Sequence, residues 1–217
     1  MKKYNSVFVI AIVISVIYFI QIYPLANLKK SLEDKFIDMN ISSEIMLRQG
    51  LNQCGPFAAM AVINILNDKI YKIDEFNSTV KFRFKNGMTL PFGITDRLHD
   101  EGIDAKIRML QYMSANNRIK YLKNQISKNK PIIMLNSTKE GIDHYFTVLG
   151  YENDSFYIYD SLQVLDPNQD GRNTIDANGD QKAGNLTLSK NELLERWGTA
   201  SYFPAKWLII ECSSRNR

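Results

Sequence analysis

The residue with the clearest chemical potential is a cysteine, Cys54, which stands directly before a hydrophobic run. Residues 56–67 read PFAAMAVINILN, a nearly uniform apolar stretch that predicts a buried helix with Pro56 in its first turn. Backbone N–H groups and the helix dipole at such a start stabilise a thiolate, the reactive form of cysteine. Gly55 is expected to let a substrate backbone approach closely. A glutamine shortly upstream could aim its amide N–H at the same place as the Cys54 N–H and complete an oxyanion hole.

A thiolate nucleophile also needs a base that a third group orients. His144 opens a predicted strand over 144–150, and Asp160 closes the next one over 156–160. Alternate residues of a strand share a face, so the hairpin would bring His144 and Asp160 to the same end of one face. A carboxylate in that position can fix the imidazole tautomer. Asp143 is a rival orienter, but it would point to the opposite face from His144.

These residues resemble the C39-like peptidases, bacterial members of the papain-like cysteine-protease fold. The resemblance rests on the pattern Q-x-x-x-x-C-G-P before a helix, then a histidine opening a strand and an aspartate 16 residues later, and it covers roughly residues 45–212. It implies that Cys54 is the nucleophile, His144 the general base and Asp160 its orienter. It further implies that Gln49 is part of the oxyanion hole, that the substrate is a peptide or protein, and that no cofactor is required.

The chain departs from the family pattern in three respects. Gln49 lies five residues before Cys54, where six is more common, and Gln53 competes for the same role. Ser161, rather than a proline, follows Asp160. The best-known members sit at the N-terminus of ABC transporters and cut double-glycine leader peptides, and these 217 residues include no transporter, so that substrate is not carried over.

Two other functions stay open at this point. A Cys54 thioester could be intercepted by an amine instead of water, which would make the protein an acyltransferase, or the same thioester could serve an amidase. The fold could also serve as a non-catalytic module that binds a peptide or a wall component. The complete cysteine, histidine, aspartate and glutamine set argues against such a module, which has no need to retain all four.

The remaining segments predict an α+β fold, because one helix comes first and strands dominate afterwards. By the resemblance this is a papain-like fold, in which the N-terminal catalytic helix packs on an antiparallel sheet. A capping box, Ser189-x-x-Glu192, begins a helix that runs to about Trp197. The other predicted elements are surface helices over 93–101 and 114–129, and strands over 131–135 and 207–211.

The N-terminus predicts a membrane anchor. Residues 7–26 carry no charge over a length that crosses a bilayer as a helix, with tyrosines toward the outer end. We expect a cytoplasmic leader over 1–6, a signal-anchor helix over 7–26, a linker or stalk over 27–44, and an extracytoplasmic peptidase domain over 45–217. The protein would then be a single-pass protein of the cell membrane. A cleaved signal peptide and a buried core helix are the alternatives, and the best cut, after Ala26, is a poor match to a cleavage site.

An Asp- and Asn-rich stretch, 166–180, opens like a calcium-binding loop. Alternate oxygens would converge on the ion, but the twelfth position is Ala177 rather than a bidentate glutamate. A surface loop whose side chains cap their own turns is the competing interpretation. The candidate calcium ligands are Asp166, Asn168, Asp170 and Asp176.

The composition limits the classes of protein and of partner that fit this chain. An apolar fraction of 45% with 23% charged residues is typical of a globular protein, and the length suits one domain with an appendage. The net charge of +4 is spread along the chain without a basic stripe, so no nucleic-acid partner is predicted. Cys54 and Cys212 could form one disulfide, or Cys212 could be a buried strand residue. His99 is expected to be solvated.

Overall fold

The computed structural model describes residues 33–39, 41–138, 140–163, 184–200 and 206–215. The predicted anchor over 7–26 and the four candidate calcium ligands, Asp166, Asn168, Asp170 and Asp176, lie outside these ranges. Within them, no helix is long and apolar enough to cross a membrane.

One antiparallel sheet forms the centre of the fold, which confirms the predicted α+β class. The strands are β1 Lys35–Phe36, β2 Ile103–Met109, β3 Ile132–Ser137, β4 Asp143–Glu152, β5 Ser155–Tyr159, β6 Leu186–Ser189 and β7 Leu208–Ser214. They lie in the order β2-β7-β3-β4-β5-β6, and the short β1 pairs with one end of β4.

Helices cover both faces of this sheet, since the central strand β3 is buried along its whole length. The helices are α1 Cys54–Asn67, α2 Ile73–Thr79, α3 Pro91–Asp100, α4 Ala115–Ile126 and α5 Lys190–Thr199. α1 packs against β3, β4 and β7, whereas α5 packs against β3, β5 and β6. The predicted capping box is present, with Ser189 and Glu192 bonding to each other's backbone N–H.

The domain begins earlier than the sequence pattern indicated. Part of the segment assigned to a linker over 27–44 packs on the domain: Phe36 pairs with Tyr151 of β4, and Met39 and Ile41 are buried. The physical reason is burial of apolar side chains that a solvated stalk would leave in water. The described residues before position 45 therefore belong to the folded domain.

α1 is buried over most of its length, as its uniform apolar sequence predicted. The Thr147 hydroxyl of β4 donates to the Ala58 carbonyl of α1 at 3.3 Å and ties the helix to the sheet. The end of α1 is followed by Asp68, whose left-handed backbone accommodates the turn, with its N–H donating to the Asn64 carbonyl. This packing fixes the position of Cys54 relative to β4.

A charged cluster links the end of α3 to the loop that follows α1. The Glu101 carboxylate accepts from Arg97 at 2.6 Å, from Tyr71 at 2.7 Å and from Lys69 at 2.9 Å. Burial raises the pKa of Glu101, but the hydrogen bonds from Tyr71, Lys69 and Arg97 outweigh it and lower the pKa to about 2. Glu101 is therefore ionised throughout the neutral range and holds the two segments together.

Candidate active site

Cys54 is the first residue of α1, and the residue is partly buried. The chain turns sharply before it, with Asn52 in the left-handed region at φ 57°. The side chain of Gln53 folds back so that its Oε1 accepts the Gly50 N–H at 2.7 Å. Gln53 thus stabilises the turn before the helix.

His144 and Asp160 form a buried pair at the end of the β4–β5 hairpin. The distance from His144 Nε2 to Asp160 Oδ1 is 2.7 Å. In the register of the hairpin Val148 faces Ile158, so His144 and Asp160 extend from the same face of the sheet, as predicted. Since Nε2 is held by Asp160, the other ring nitrogen, Nδ1, is the one available for the Cys54 thiol.

The pKa values of Cys54 and His144 are shifted in the directions that favour a thiolate–imidazolium pair. Burial raises the pKa of the Cys54 thiol, but the hydrogen bond and charge of His144, with backbone hydrogen bonds from Tyr145 and Gly55, lower it below its ordinary value. Burial lowers the pKa of His144, but its hydrogen bonds to Asp160 and Cys54 outweigh this and raise the pKa to about 9. Both shifts favour a thiolate on Cys54 beside an imidazolium on His144, which is a nucleophile next to a proton donor.

Asp160 is itself held on several sides. Its carboxylate accepts from the Leu162 N–H at 2.9 Å and from the Gln163 amide at 3.2 Å. Burial raises the pKa of Asp160, but these bonds and the His144 imidazolium bring it below its usual range. The Asn185 side chain accepts from the Asp160 N–H at 2.8 Å and donates to the Asp160 carbonyl at 2.9 Å. No sequence motif pointed to Asn185, which comes from a distant segment.

Gln49 lies beside the residue that follows Asp160. Its side-chain oxygen accepts from the Ser161 hydroxyl at 2.7 Å, and its backbone N–H donates to the Ser161 carbonyl at 2.9 Å. Ser161 is buried. Because the oxygen of the Gln49 amide is taken, its NH₂ end is the part that can face a substrate. The departure from the family pattern at position 161 thus supplies a hydroxyl that orients the glutamine.

A short hairpin over 83–89 forms a wall of the site that the sequence did not reveal. Arg83 secures it, donating to the Gly87 carbonyl at 2.7 Å and to the Asn52 carbonyl at 3.1 Å. The hairpin ends at Thr89, which lies so close to Gly55 that a Cβ at Gly55 would be 2.7 Å from the Thr89 Cβ. The space that we expected a substrate backbone to use at Gly55 is thus occupied by Thr89.

Cys212 and His99, the other cysteine and the other histidine of the chain, are not among the residues that form the site. Cys54 and Cys212 are both free thiols, so they form no disulfide, and Cys212 is buried in β7 as the alternative predicted. His99 is exposed, and its Nε2 contacts the Ala105 carbonyl at 3.0 Å. Across the ranges that the structure describes, no group of three or more histidine, cysteine, aspartate or glutamate side chains could hold a metal ion.

Comparison with known proteins identifies the family and supports the fold. The model of the Peptidase_C39 like family matches residues 41–201. Among solved structures, a Bacillus anthracis protein described as a C39-like peptidase superposes with a TM-score of 0.55 at 12% identity, covering 85% of this chain and 100% of that one. A cysteine protease from Carica candamarcensis in complex with E-64 superposes with a TM-score of 0.51 at 11% identity, with the same coverages. No curated protein matches the chain.

Proposed function

Because this chain belongs to the Peptidase_C39 like family, we propose that it is a cysteine peptidase that hydrolyses a peptide or amide bond through a Cys54 thioester. The observation that carries the proposal is the Cys54–His144–Asp160 arrangement, with the His144 to Asp160 distance of 2.7 Å and the thiol pKa below its ordinary value. A buried histidine with this pairing is positioned to exchange protons with a neighbouring sulfur. The substrate we propose is a peptide or protein.

The proposed reaction begins with attack of the Cys54 thiolate on the carbonyl carbon of the scissile bond. The carbonyl electron pair moves to oxygen, where the Gln49 amide and the Cys54 N–H would donate to the oxyanion. As this intermediate collapses, the C–N bond breaks, and the departing amine takes the proton from the His144 imidazolium. The neutral imidazole then accepts a proton from water as the water oxygen attacks the thioester, and the Cys54 thiolate leaves.

The proposal is tested by incubating the purified domain with a proteome-derived peptide mixture and identifying new termini by mass spectrometry. We expect cleavage by the wild type and none by Cys54→Ala. Adding a primary amine would reveal acyl transfer as an amide adduct in place of the free acid. Absence of any product from the wild type, together with Cys54 labelling no faster than an ordinary thiol, would contradict the enzymatic function.

We also propose that residues 7–26 anchor the protein as a single-pass protein of a bacterial cell membrane, with the peptidase domain outside the cytoplasm. Twenty residues without a charge support this assignment. Membrane fractionation combined with protease treatment of intact cells tests it, and we expect the domain to be membrane-bound and digested from outside. An N-terminal sequence that starts after Ala26 would indicate cleavage instead.

A structural calcium ion at Asp166, Asn168, Asp170 and Asp176 is a further proposal, supported by the alternation of oxygen-bearing side chains. Binding to the native state alone would raise the melting temperature with calcium concentration. A melting temperature that neither calcium nor a chelator moves would remove this proposal.

A further inference from the structure

The backbone of Asp160 lies just beyond the part of the sheet that supplies hydrogen-bond partners. β5 ends at Tyr159, and its pairing with β6 ends at Ile158 opposite Leu186. Asp160 is nevertheless buried, with 3% of its surface exposed. Because a buried N–H or C=O group without a partner costs free energy, the peptide groups of Asp160 need partners from outside the strand ladder.

The side chain of Asn185 pairs with both peptide groups of Asp160. Its amide oxygen accepts the Asp160 N–H at 2.8 Å, and its amide nitrogen donates to the Asp160 carbonyl at 2.9 Å. That carbonyl also accepts the Gln163 N–H at 3.1 Å. A carboxamide carries an acceptor and a donor side by side, so it can bond to an N–H and a C=O at once. Asn185 therefore extends the sheet by one residue, with a side chain in place of a backbone.

Asn185 is itself fixed to the sheet. Its N–H donates to the Ile158 carbonyl at 2.9 Å, and β6 begins at the next residue. Gly184, which precedes it, has a φ of 77°, and a Cβ there would collide with the Ile158 carbonyl. Glycine thus lets the chain pass close to the end of β5, which places the Asn185 amide beside Asp160.

The other bonds to Asp160 fix a different part of this residue. Leu162 and Gln163 bond to its carboxylate, but both lie in the same turn as Asp160. They fix the carboxylate relative to that turn, whereas Asn185 fixes the Asp160 backbone relative to β5 and β6. His144 lies on β4, the neighbour of β5. The 2.7 Å contact between Asp160 and His144 therefore depends on how Asp160 is held to the sheet.

We propose that Asn185 is a positioning residue, which holds the Asp160 backbone on the sheet so that the Asp160 carboxylate stays on His144. This inference rests on the proposed peptidase function. An aligned carboxylate favours the imidazolium form of His144, and the imidazolium favours the Cys54 thiolate. Without Asn185 the carboxylate would be aligned for only part of the time, so both effects weaken and the thiolate forms at higher pH. The other titratable neighbours, Cys54 beside His144 and Tyr159 beside Asp160, are unchanged by a substitution at Asn185.

The test is the pH dependence of Cys54 alkylation by iodoacetamide in the purified full-length protein. Cys212 is fully buried, so Cys54 is the thiol that reacts. In Asn185→Ala we expect the midpoint of the alkylation rate to move up by about half to one pH unit, the pKa equivalent of one hydrogen bond. We also expect kcat on a peptide substrate to fall by about 2- to 13-fold. A midpoint that stays at the wild-type pH in the folded variant would overturn the inference.

Asn64→Ala is the matched control. The Asn64 side chain also accepts a backbone N–H, that of Ser42 at 2.8 Å, and donates to a carbonyl, that of Lys69 at 3.5 Å. It lies ten positions along α1 from Cys54, roughly 15 Å away. Both substitutions should lower the melting temperature, but only Asn185→Ala should move the alkylation midpoint. An equal shift in Asn64→Ala would mean that loss of stability alone causes it, which would refute the positioning role.

The Asp160→Asn background shows whether Asn185 acts through Asp160. The charge is absent there, so the alkylation midpoint should already be raised, and adding Asn185→Ala should move it no further. A further shift as large as that in the wild-type background would contradict action through Asp160. Asn185→Ser is prepared in parallel in case alanine prevents folding, because it retains a hydroxyl as an acceptor for the Asp160 N–H. Its midpoint should also lie above the wild-type value, and a wild-type midpoint would count against the inference.

Failure of the inference differs from failure of the proposed function. If peptides are cleaved but the midpoint is the same in the wild type and in Asn185→Ala, only the inference fails. If the wild type cleaves no peptide and Cys54 reacts with iodoacetamide as slowly as an ordinary thiol, the peptidase function fails and the inference fails with it.

Discussion

Replacing Ser161 with alanine removes the hydroxyl that donates to Gln49 Oε1 at 2.7 Å. The Gln49 amide could then rotate, and its NH₂ end would face the substrate for only part of the time. A neutral hydrogen bond of this kind contributes about 0.5–1.5 kcal/mol, so kcat should fall by about 2- to 13-fold. Removing the donor altogether, as in Gln49→Ala, should lower kcat by about 100- to 1000-fold.

A double-mutant cycle separates this indirect role from a direct one. If Ser161 acts only through Gln49, the Gln49→Ala/Ser161→Ala variant should be no slower than Gln49→Ala alone. The assay is kcat on a peptide substrate at saturating concentration. A further several-fold loss in the double variant would refute the reasoning, because Ser161 would then act on catalysis independently of the glutamine.

Alkylation provides the control for this experiment. Iodoacetamide reacts with the Cys54 thiolate without forming an oxyanion, so Ser161→Ala should be alkylated at the wild-type rate. A slower alkylation rate would mean that the substitution disturbs the pair formed by His144 and Asp160, since Ser161 directly follows Asp160. In that case the loss in kcat could not be attributed to Gln49.

Three further predictions concern the thiolate, the charged cluster and the helix start. At pH 6 the His144→Ala variant should be alkylated at Cys54 about 100-fold more slowly than the wild type, because a thiol of pKa about 8.5 is then mostly protonated; equal rates would contradict the ion pair. Glu101→Gln should lower the free energy of unfolding by about 2 kcal/mol at pH 7, measured in urea. Because the folded-state pKa of Glu101 lies below the unfolded value, this difference should shrink as the pH falls from about 4.5 to 2, and a constant difference would exclude the charge as its cause. Gly55→Ala should lower the melting temperature by the equivalent of about 1–3 kcal/mol, since its Cβ would meet Thr89 at 2.7 Å; an unchanged melting temperature would show that Thr89 can move aside.

The three residues of the candidate site, Cys54, His144 and Asp160, could be singled out because each lies in a segment with a local signal. Cys54 precedes a run of apolar residues that has one structural solution, a buried helix. His144 and Asp160 end two strands of a tight hairpin, so their proximity follows from the short turn and the alternation of side chains. The position of each of the three residues is thus set by a local element, either the helix that follows Cys54 or the hairpin that carries His144 and Asp160.

Residues that complete the site were missed because their contacts cross the chain. Asn185 lies 25 positions after Asp160 in the chain, and Thr89 lies 34 positions after Gly55. Neither belongs to a local motif, and the pairing order of the sheet cannot be read from the strands alone. β2 did carry a usable signal, the alternation of Ile103, Ala105 and Ile107 with polar residues. Ser161 was noticed as an exception, but its role appears only when Gln49 is placed beside it.

The shortest strand, β1, shows at which end of the sheet the described chain enters the domain. β1 joins the sheet opposite Tyr151 and Glu152, at the end of β4 far from His144. Glu152 lies eight positions along β4 from His144, so the two residues are roughly 26 Å apart at about 3.3 Å per position. The described chain therefore enters the domain at the end of β4 that lies far from His144. A tether joined to the domain at this point would leave the Cys54 end of the sheet clear of the attachment.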